Sequence, residues 1–417
     1  MINNILDKVG IHSKLFWGYL GVLIFMMGDG LEIAWLSPWL IEQGFTVQQN
    51  SLLFAVYGVT IAISSWFSGV LVEALGPKRT MLLGVITYIL GTSGFIAFGV
   101  AADLNYGMML AFYCFRGLGY PLFAYSFLVW IAYRTPQDKL GSAVGWFWFV
   151  FTGGLNVLGA YYSTYAIKYL GHINTLWSSI VWVLIGAIFA LVINRDTLER
   201  KSNNEGAESK IQELMKGLTI VKKEPKVLLG GIVRMINTTA QFAFPVFLPT
   251  YLAGYGIPTS TWLGIWGTIF IANIVFNLLF GIIGDKIGWQ NTIMWFGGVG
   301  CGVTTLGLYY APQWFAGNIW VVGAVGILWG ALLAGYVPLS ALVPSLVKED
   351  KGAALSILNL GAGLPVFVGP AIVGIFIGII GAQGVIWILA ILYFISAILT
   401  KFITVSETKE AELVNAV

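Results

Sequence analysis

Long apolar runs separated by short polar stretches make up most of this chain. Each run reaches about 20 residues or more, the length a helix needs to cross a hydrocarbon core. The runs predict twelve spanning helices, over residues 14–42, 47–75, 79–101, 106–133, 139–167, 174–194, 228–254, 260–286, 290–311, 317–347, 351–379 and 383–405. Several exceed the minimum, which tilt or extension beyond the lipid accommodates. The polar stretches between them alternate in charge. One set, from Lys8 and Lys14 through the 195–227 loop to Lys401 and Lys409, holds 19 cations, and the opposite set holds only Lys168. Cations stay on the cytoplasmic side of short loops, so both termini are expected in the cytoplasm. An odd number of helices would break the alternation.

Composition agrees with this pattern. Of 417 residues, 58% are hydrophobic and 10% charged, against about 25% charged in soluble domains. A surface facing lipid removes the need for a charged coat. The net charge of +3 is too small to suggest nucleic acid as a partner. Cys114 and Cys301 fall inside apolar runs and read as small buried residues, with no disulfide expected. His12 and His172 lie outside the runs, and no metal-ligand spacing exists. The first run is too long, and has too many successors, to be a cleaved signal. Zinc-protease, P-loop and nucleophile-elbow motifs are absent, so neither an enzyme nor a cofactor is expected.

The longest polar stretch divides the chain. Residues 1–194 form an N-terminal six-helix bundle, 195–227 a cytoplasmic linker, 228–405 a C-terminal six-helix bundle and 406–417 a tail. The second part of the linker places Ile211, Leu214, Met215, Leu218 and Val221 on one helical face, as in an amphipathic helix at the membrane interface.

The two halves repeat each other. Gly69, Glu73 and Gly76, followed by Lys78 and Arg79, join the second and third helices. Gly281, Asp285 and Gly288 join the eighth and ninth at an offset of 212 residues. The same offset relates Asp138-Lys139 to Asp350-Lys351. Glycine lets helices approach closely, and an acid at a helix end can cap a neighbouring N-terminus or pair with loop bases. Glu73, Lys78, Arg79 and Asp285 therefore read as a cytoplasmic gate. This loop motif and the 6+6 layout resemble the major facilitator superfamily. The resemblance implies an all-α integral membrane fold of two pseudo-symmetric six-helix bundles. The first copy carries Glu73 in place of the family's usual Asp. The second has Trp289, Gln290 and Asn291 where bases are common.

Polar residues inside the apolar runs mark a water-accessible path, because a charge in lipid costs several kcal/mol. They are Asp29 and Glu32 on helix 1, Arg116 on helix 4, Asn156 on helix 5, Arg234, Asn237 and Gln241 on helix 7, Asn273 and Asn277 on helix 8, and Asn359 on helix 11. Helices 3, 6, 9 and 12 have none in their interiors, which suits outer supports. Asp29 and Arg116 sit at similar depth and read as a carboxylate whose proton affinity depends on a cation. Glu32, three residues on, could carry the proton itself, accept substrate hydroxyls, or only balance Arg116. The amides both donate and accept, which suits a solute built of hydroxyls. An indole face suits the C–H face of a carbohydrate, and Trp35 and Trp329 join the candidate binding set for that reason. Pro245, Pro249, Pro338, Pro344, Pro365 and Pro370 permit bends in helices 7, 10 and 11.

Three stretches carry a closer resemblance: KLFWGYLGVLIFMMGDGLEIAWLS over 14–37, FYCFRGLGYPLFAYSFLVW over 112–130 and SAVGWFWF over 142–149. They are similar to the bacterial polyol porters of the superfamily, the ribitol and arabinitol transporters. That resemblance implies uptake of a sugar alcohol with protons as the coupling ion. It also implies a monomer in the inner membrane of a bacterium, in contact with lipid. A symporter of a sugar acid or other small organic anion, with Arg116 and Arg234 holding the carboxylate, is the alternative reading. Gly153-Gly154-Leu155 lacks the proline of the antiporter motif on helix 5, against drug efflux.

Overall fold

A computed structural model describes residues 11–136, 140–194, 220–347 and 351–404, and in these the chain is helical throughout. Eight stretches are long and apolar enough to cross a membrane. Two of the eight hold two rods each, because Gly171 (φ 74°) and Gly381 (φ 67°) break the helix between them. The first rod, which is interrupted, and the ninth complete the twelve expected from the apolar runs.

In chain order, α1 is Phe16–Gly30 and, after a break, Leu36–Glu42. Next come α2, Val47–Leu75, α3, Pro77–Gly94 with Phe95–Val100, and α4, Tyr106–Arg116 with Gly119–Arg134. Residues 140–170 form α5 and 172–193 form α6. The second half holds α7, Pro225–Ala253, α8, Thr259–Ile287, and α9 over 289–314. It continues with α10, Ile319–Leu333 with Ala334–Tyr336 and Leu339–Ser345. Residues 351–380 form α11 and 382–401 form α12. The predicted amphipathic linker helix and the tail fall almost wholly outside the described residues.

The supports are where the charge pattern places them. Leu82, Leu90 and Phe98 on α3, Val181 and Val192 on α6, Trp295 and Val303 on α9, and Ile391 and Ile398 on α12 are exposed apolar side chains. In a membrane protein such a face is covered by lipid. Inside each half, glycines allow close helix crossings. A side chain on Gly21 would meet α6 at Gly186, and one on Gly361 would meet the Gly231 carbonyl of α7.

The repeat is visible in backbone geometry. Gly76 ends α2 at φ 83° and Gly288 ends α8 at φ 92°, a region that L side chains rarely adopt. Two residues beyond each glycine, at the same offset of 212, stand Lys78 and Gln290. The Lys78 ammonium donates to the Asn194 carbonyl at the end of α6, at 2.8 Å. The Gln290 amide donates to the Thr400 and Lys401 carbonyls at the end of α12, both at 2.9 Å. Each cap holds the last helix of its own half, where unpaired carbonyls gather negative charge.

The halves meet on the side away from the termini. Ser37 Oγ of α1 donates to the Val246 carbonyl of α7 at 2.7 Å. Tyr161 of α5 and Thr268 of α8 share a hydroxyl hydrogen bond of 2.8 Å. Gly374 and Gly378 of α11 face Ser51 and Gln48 at the start of α2.

Candidate functional site

Two helices are interrupted at mid-depth in the first half. In α1, residues 31–35 leave the α-helical pattern, and Trp35 has φ −132°. In α4, a turn at 117–118 follows Arg116. Arg116 thus ends a helical segment, where a cation is favoured by the helix dipole. Close packing of α3 on α4, with Gly91 against the Arg116 backbone and Gly84 against the Gly119 carbonyl, brings Tyr88 over the guanidinium.

Asp29, Glu32 and Arg116 form one buried cluster. Arg116 Nη1 donates to Glu32 Oε1. Arg116 Nη2 donates to Asp29 Oδ1 at 3.1 Å, to the Asp29 carbonyl at 3.2 Å and to Tyr88 Oη at 3.0 Å. Tyr57 donates to Asp29 Oδ1 at 3.1 Å, and Tyr113 donates to Glu32 Oε1 at 2.6 Å. The guanidinium carbon lies 4.8 Å from the Tyr88 ring centroid, 5.3 Å from Tyr113 and 5.6 Å from Tyr57. Three aromatic faces therefore enclose the cation, an arrangement that favours a desolvated positive charge.

With one cation and two carboxylates, the ionised cluster carries a surplus negative charge. Both acids border a narrow, partly open cavity. Phe54, Tyr57, Tyr113, Tyr120 and Leu155 line it from the first half, and Phe242, Pro245, Val246, Val366 and Pro370 from the second. The cavity therefore lies between the two halves, with the acids on one wall and an apolar wall opposite.

The structure brings the three predicted coupling residues together and disperses the predicted binding set, none of which borders this cavity. Asn156 is buried in a π-helical segment of α5, Gly153–Leu158. Asn237 is buried on α7, and its backbone carbonyl accepts from Tyr393 at 3.0 Å. Asn273 donates to the Gly330 carbonyl at 3.0 Å and so joins α8 to α10. Gln241 and Asn277 are half-buried, and Asn359 is exposed. Trp35 and Trp329 are fully buried. Trp35 donates to the Leu31 carbonyl, and Trp329 packs 4.9 Å from Phe244.

Of the predicted gate, Lys78 caps α6 and stands 5.6 Å over the Trp130 ring, and Arg79 is exposed. The side chains of Glu73 and Asp285 lie outside the described residues. Of the predicted bends, α10 breaks before Pro338 and α11 at Leu364, whereas α7 runs unbroken through Pro245 and Pro249. Sequence reasoning missed Tyr57, Tyr88, Tyr113 and Tyr120. Tyr113 had a signal, since it precedes Arg116 by one helical turn. Tyr88 lies on a helix read as support alone.

Known proteins share this architecture and much of this sequence. The Major Facilitator Superfamily model matches residues 18–347 and 267–416. The YoaB protein of Bacillus subtilis (strain 168) is 58% identical over 97% of both chains. An alpha-ketoglutarate permease of the same organism is 54% identical over 97% of this chain and 92% of its own. The D-arabinitol transporter of Klebsiella pneumoniae is 36% identical over 96% and 94%. A crystal structure of a D-xylose-proton symporter superposes with a TM-score of 0.69 at 14% identity, over 97% of this chain and 98% of that one. The resemblance read from the repeated loop and from α1 to α5 is borne out by family and by relatives. The chain belongs to the Major Facilitator Superfamily, a multi-pass membrane transporter and not an enzyme.

Proposed function

We propose that this transporter carries a neutral, polyhydroxylated solute, a sugar alcohol of pentitol size, together with protons. The observation that carries this reading is the cluster of two carboxylates on one guanidinium, facing the cavity between the halves. The surplus negative charge is what a proton would cancel, and it disfavours an anionic solute. Carboxylates and tyrosine hydroxyls suit substrate hydroxyls, which both donate and accept. Asp29 or Glu32 carries the proton and Arg116 tunes it. Gln241, Asn277 and the other predicted amides complete the site in a different state of the cycle. The 36% identical D-arabinitol transporter supports the same solute class. The charge asymmetry of the loops supports both termini in the cytoplasm, and the bacterial relatives support an inner-membrane setting.

A second reading is favoured by one observation. The 54% identical relative is named an alpha-ketoglutarate permease, and half-buried Arg234 on α7 offers a cation outside the cluster. A small dicarboxylate would then enter once a proton had cancelled the surplus charge. Purified protein in liposomes separates the two. Counterflow of labelled ribitol or arabinitol, and medium alkalinisation during net pentitol influx in a separate assay, support the polyol and its coupling. Competition by 2-oxoglutarate with no effect of pentitols sinks it in favour of the organic acid.

A further inference from the structure

The break in α1 is held by specific donors. In an unbroken helix the Trp35 backbone N–H would pair with the Leu31 carbonyl, four residues back. Here it pairs with the Glu32 carbonyl, three back, at 3.2 Å, and the Leu36 N–H joins the same carbonyl at 2.9 Å. The Leu31 carbonyl is taken instead by two side chains. Trp35 Nε1 donates to it at 2.6 Å. Ser163 Oγ, from α5, also donates to it and shares its proton with the Gly159 carbonyl at 2.8 Å. Both residues are fully buried. Neither belongs to the charge cluster, yet the carbonyl they hold precedes Glu32 by one residue.

The surroundings leave this turn little freedom. A side chain on Gly30 would run into the Leu155 carbonyl of α5, and one on Gly159 into the Gly30 backbone at 2.8 Å. The Trp35 ring lies 6.0 Å from Trp39 and 5.1 Å from His172, and His172 stacks on Trp39 at 5.2 Å. The indole N–H is therefore aimed by packing on its far side, and Ser163 is aimed by α5.

We infer that Trp35 and Ser163 are positioning residues of the charge cluster: by holding the Leu31 carbonyl out of the helix ladder, they turn Glu32 toward Arg116 and Tyr113. The consequence for coupling rests on the function proposed above. The geometry does not. Without the two donors, the Leu31 carbonyl is left buried and unpaired. Closing the ladder onto the Trp35 N–H then becomes its nearest remedy, because a buried carbonyl needs a partner. Closing the ladder rotates Glu32 away from the guanidinium while leaving Asp29, in the preceding segment, in place.

The test compares wild type, Ser163→Ala/Trp35→Phe, Ser163→Thr/Trp35→Phe and Glu32→Gln, all full-length and in detergent. Amide hydrogen exchange over residues 31–36 reads the break. The double variant Ser163→Ala/Trp35→Phe should slow it at least about tenfold as the ladder closes, and Ser163→Thr/Trp35→Phe, which keeps the hydroxyl, should stay near the wild-type rate. Unchanged exchange in the double variant overturns the positioning role. The pH dependence of the unfolding temperature reads the charge cluster, whose titratable members are Asp29, Glu32, Tyr57, Tyr88 and Tyr113 beside Arg116. Ser163→Ala/Trp35→Phe should change the shape of that profile and should add nothing to it in a Glu32→Gln background. A uniform drop at every pH marks a merely structural residue and overturns the proposal. If exchange slows as expected but Glu32→Gln leaves the profile unchanged, the positioning stands and the coupling role of Glu32 falls.

Discussion

Arg116 is the residue on which the site depends. Its guanidinium carries both acids, and its partners come from α1, α2, α3 and its own helix. Removing the cation leaves two carboxylates buried against each other. Arg116→Leu should therefore cost about 3–5 kcal/mol of stability at neutral pH, the usual result of breaking a buried pair from one side. Thermal unfolding in detergent checks this, and a loss below about 1 kcal/mol would mean water reaches the cluster freely. Asp29→Asn and Glu32→Gln keep the shape and remove the surplus charge. Each should leave the fold intact and reduce proton-driven accumulation, while exchange of solute continues. Full accumulation by either variant assigns the proton to the other acid. Tyr113→Phe removes a 2.6 Å bond to a charged acceptor and should cost about 1.5–3 kcal/mol. The cluster was legible in part. Charges in an apolar run stand out, and Asp29, Glu32 and Arg116 were found that way. Tyrosines do not stand out, because one ring looks the same in a core, at an interface or over a cation. Which amides bind solute was not legible either. Asn273 is bonded across helices at Gly330, and sequence does not distinguish that use from ligand contact.

At the scale of helices, the sequence showed where the rods lie and not where they break. The predicted 14–42 span is right in extent, but nothing in Leu31–Trp35 is a helix breaker. The break depends on Ser163, 132 residues later in the chain. Proline does not break α7, where Pro245 and Pro249 sit in a continuous helix, since a neighbouring helix can take up the freed groups. The repeated glycines were informative because their reason is local. Gly76→Ala and Gly288→Ala should each cost about 1–2 kcal/mol, the penalty of a side chain at positive φ, read as a fall in unfolding temperature. The caps beyond them make a further prediction. A cation near a helix C-terminus is worth about 0.3–1 kcal/mol. Gln290→Lys should therefore stabilise the end of α12 by that amount if its ammonium reaches the Thr400 and Lys401 carbonyls, and Lys78→Gln should weaken the end of α6. Hydrogen exchange at the last turn of each helix distinguishes this from a general effect. Equal exchange in both variants and wild type would show that the caps carry no charge preference.

At the scale of the whole molecule, the two halves are joined across a cavity and must separate on one side for solute to pass. The cross-bundle hydrogen bonds of Ser37 with Val246 and of Tyr161 with Thr268 lie on the side away from the termini. Asn50 Nδ2 reinforces the first by donating to the Ser37 carbonyl at 3.0 Å, so α1, α2 and α7 are tied at one point. Both cross-bundle bonds must break for the far side to open. Each contributes about 0.5–1.5 kcal/mol to the closed state. Ser37→Ala combined with Thr268→Val should therefore shift the balance by about 1–3 kcal/mol, roughly 5- to 150-fold toward the state open on that side. A single cysteine at Phe54, which lines the cavity, reports the change once Cys114 and Cys301 are replaced. Labelling by a membrane-impermeant maleimide applied from the far side should rise in the double variant by at least about fivefold. Labelling at the wild-type rate would mean that glycine-mediated packing of α11 against α2, and not these two hydroxyls, keeps the far side shut.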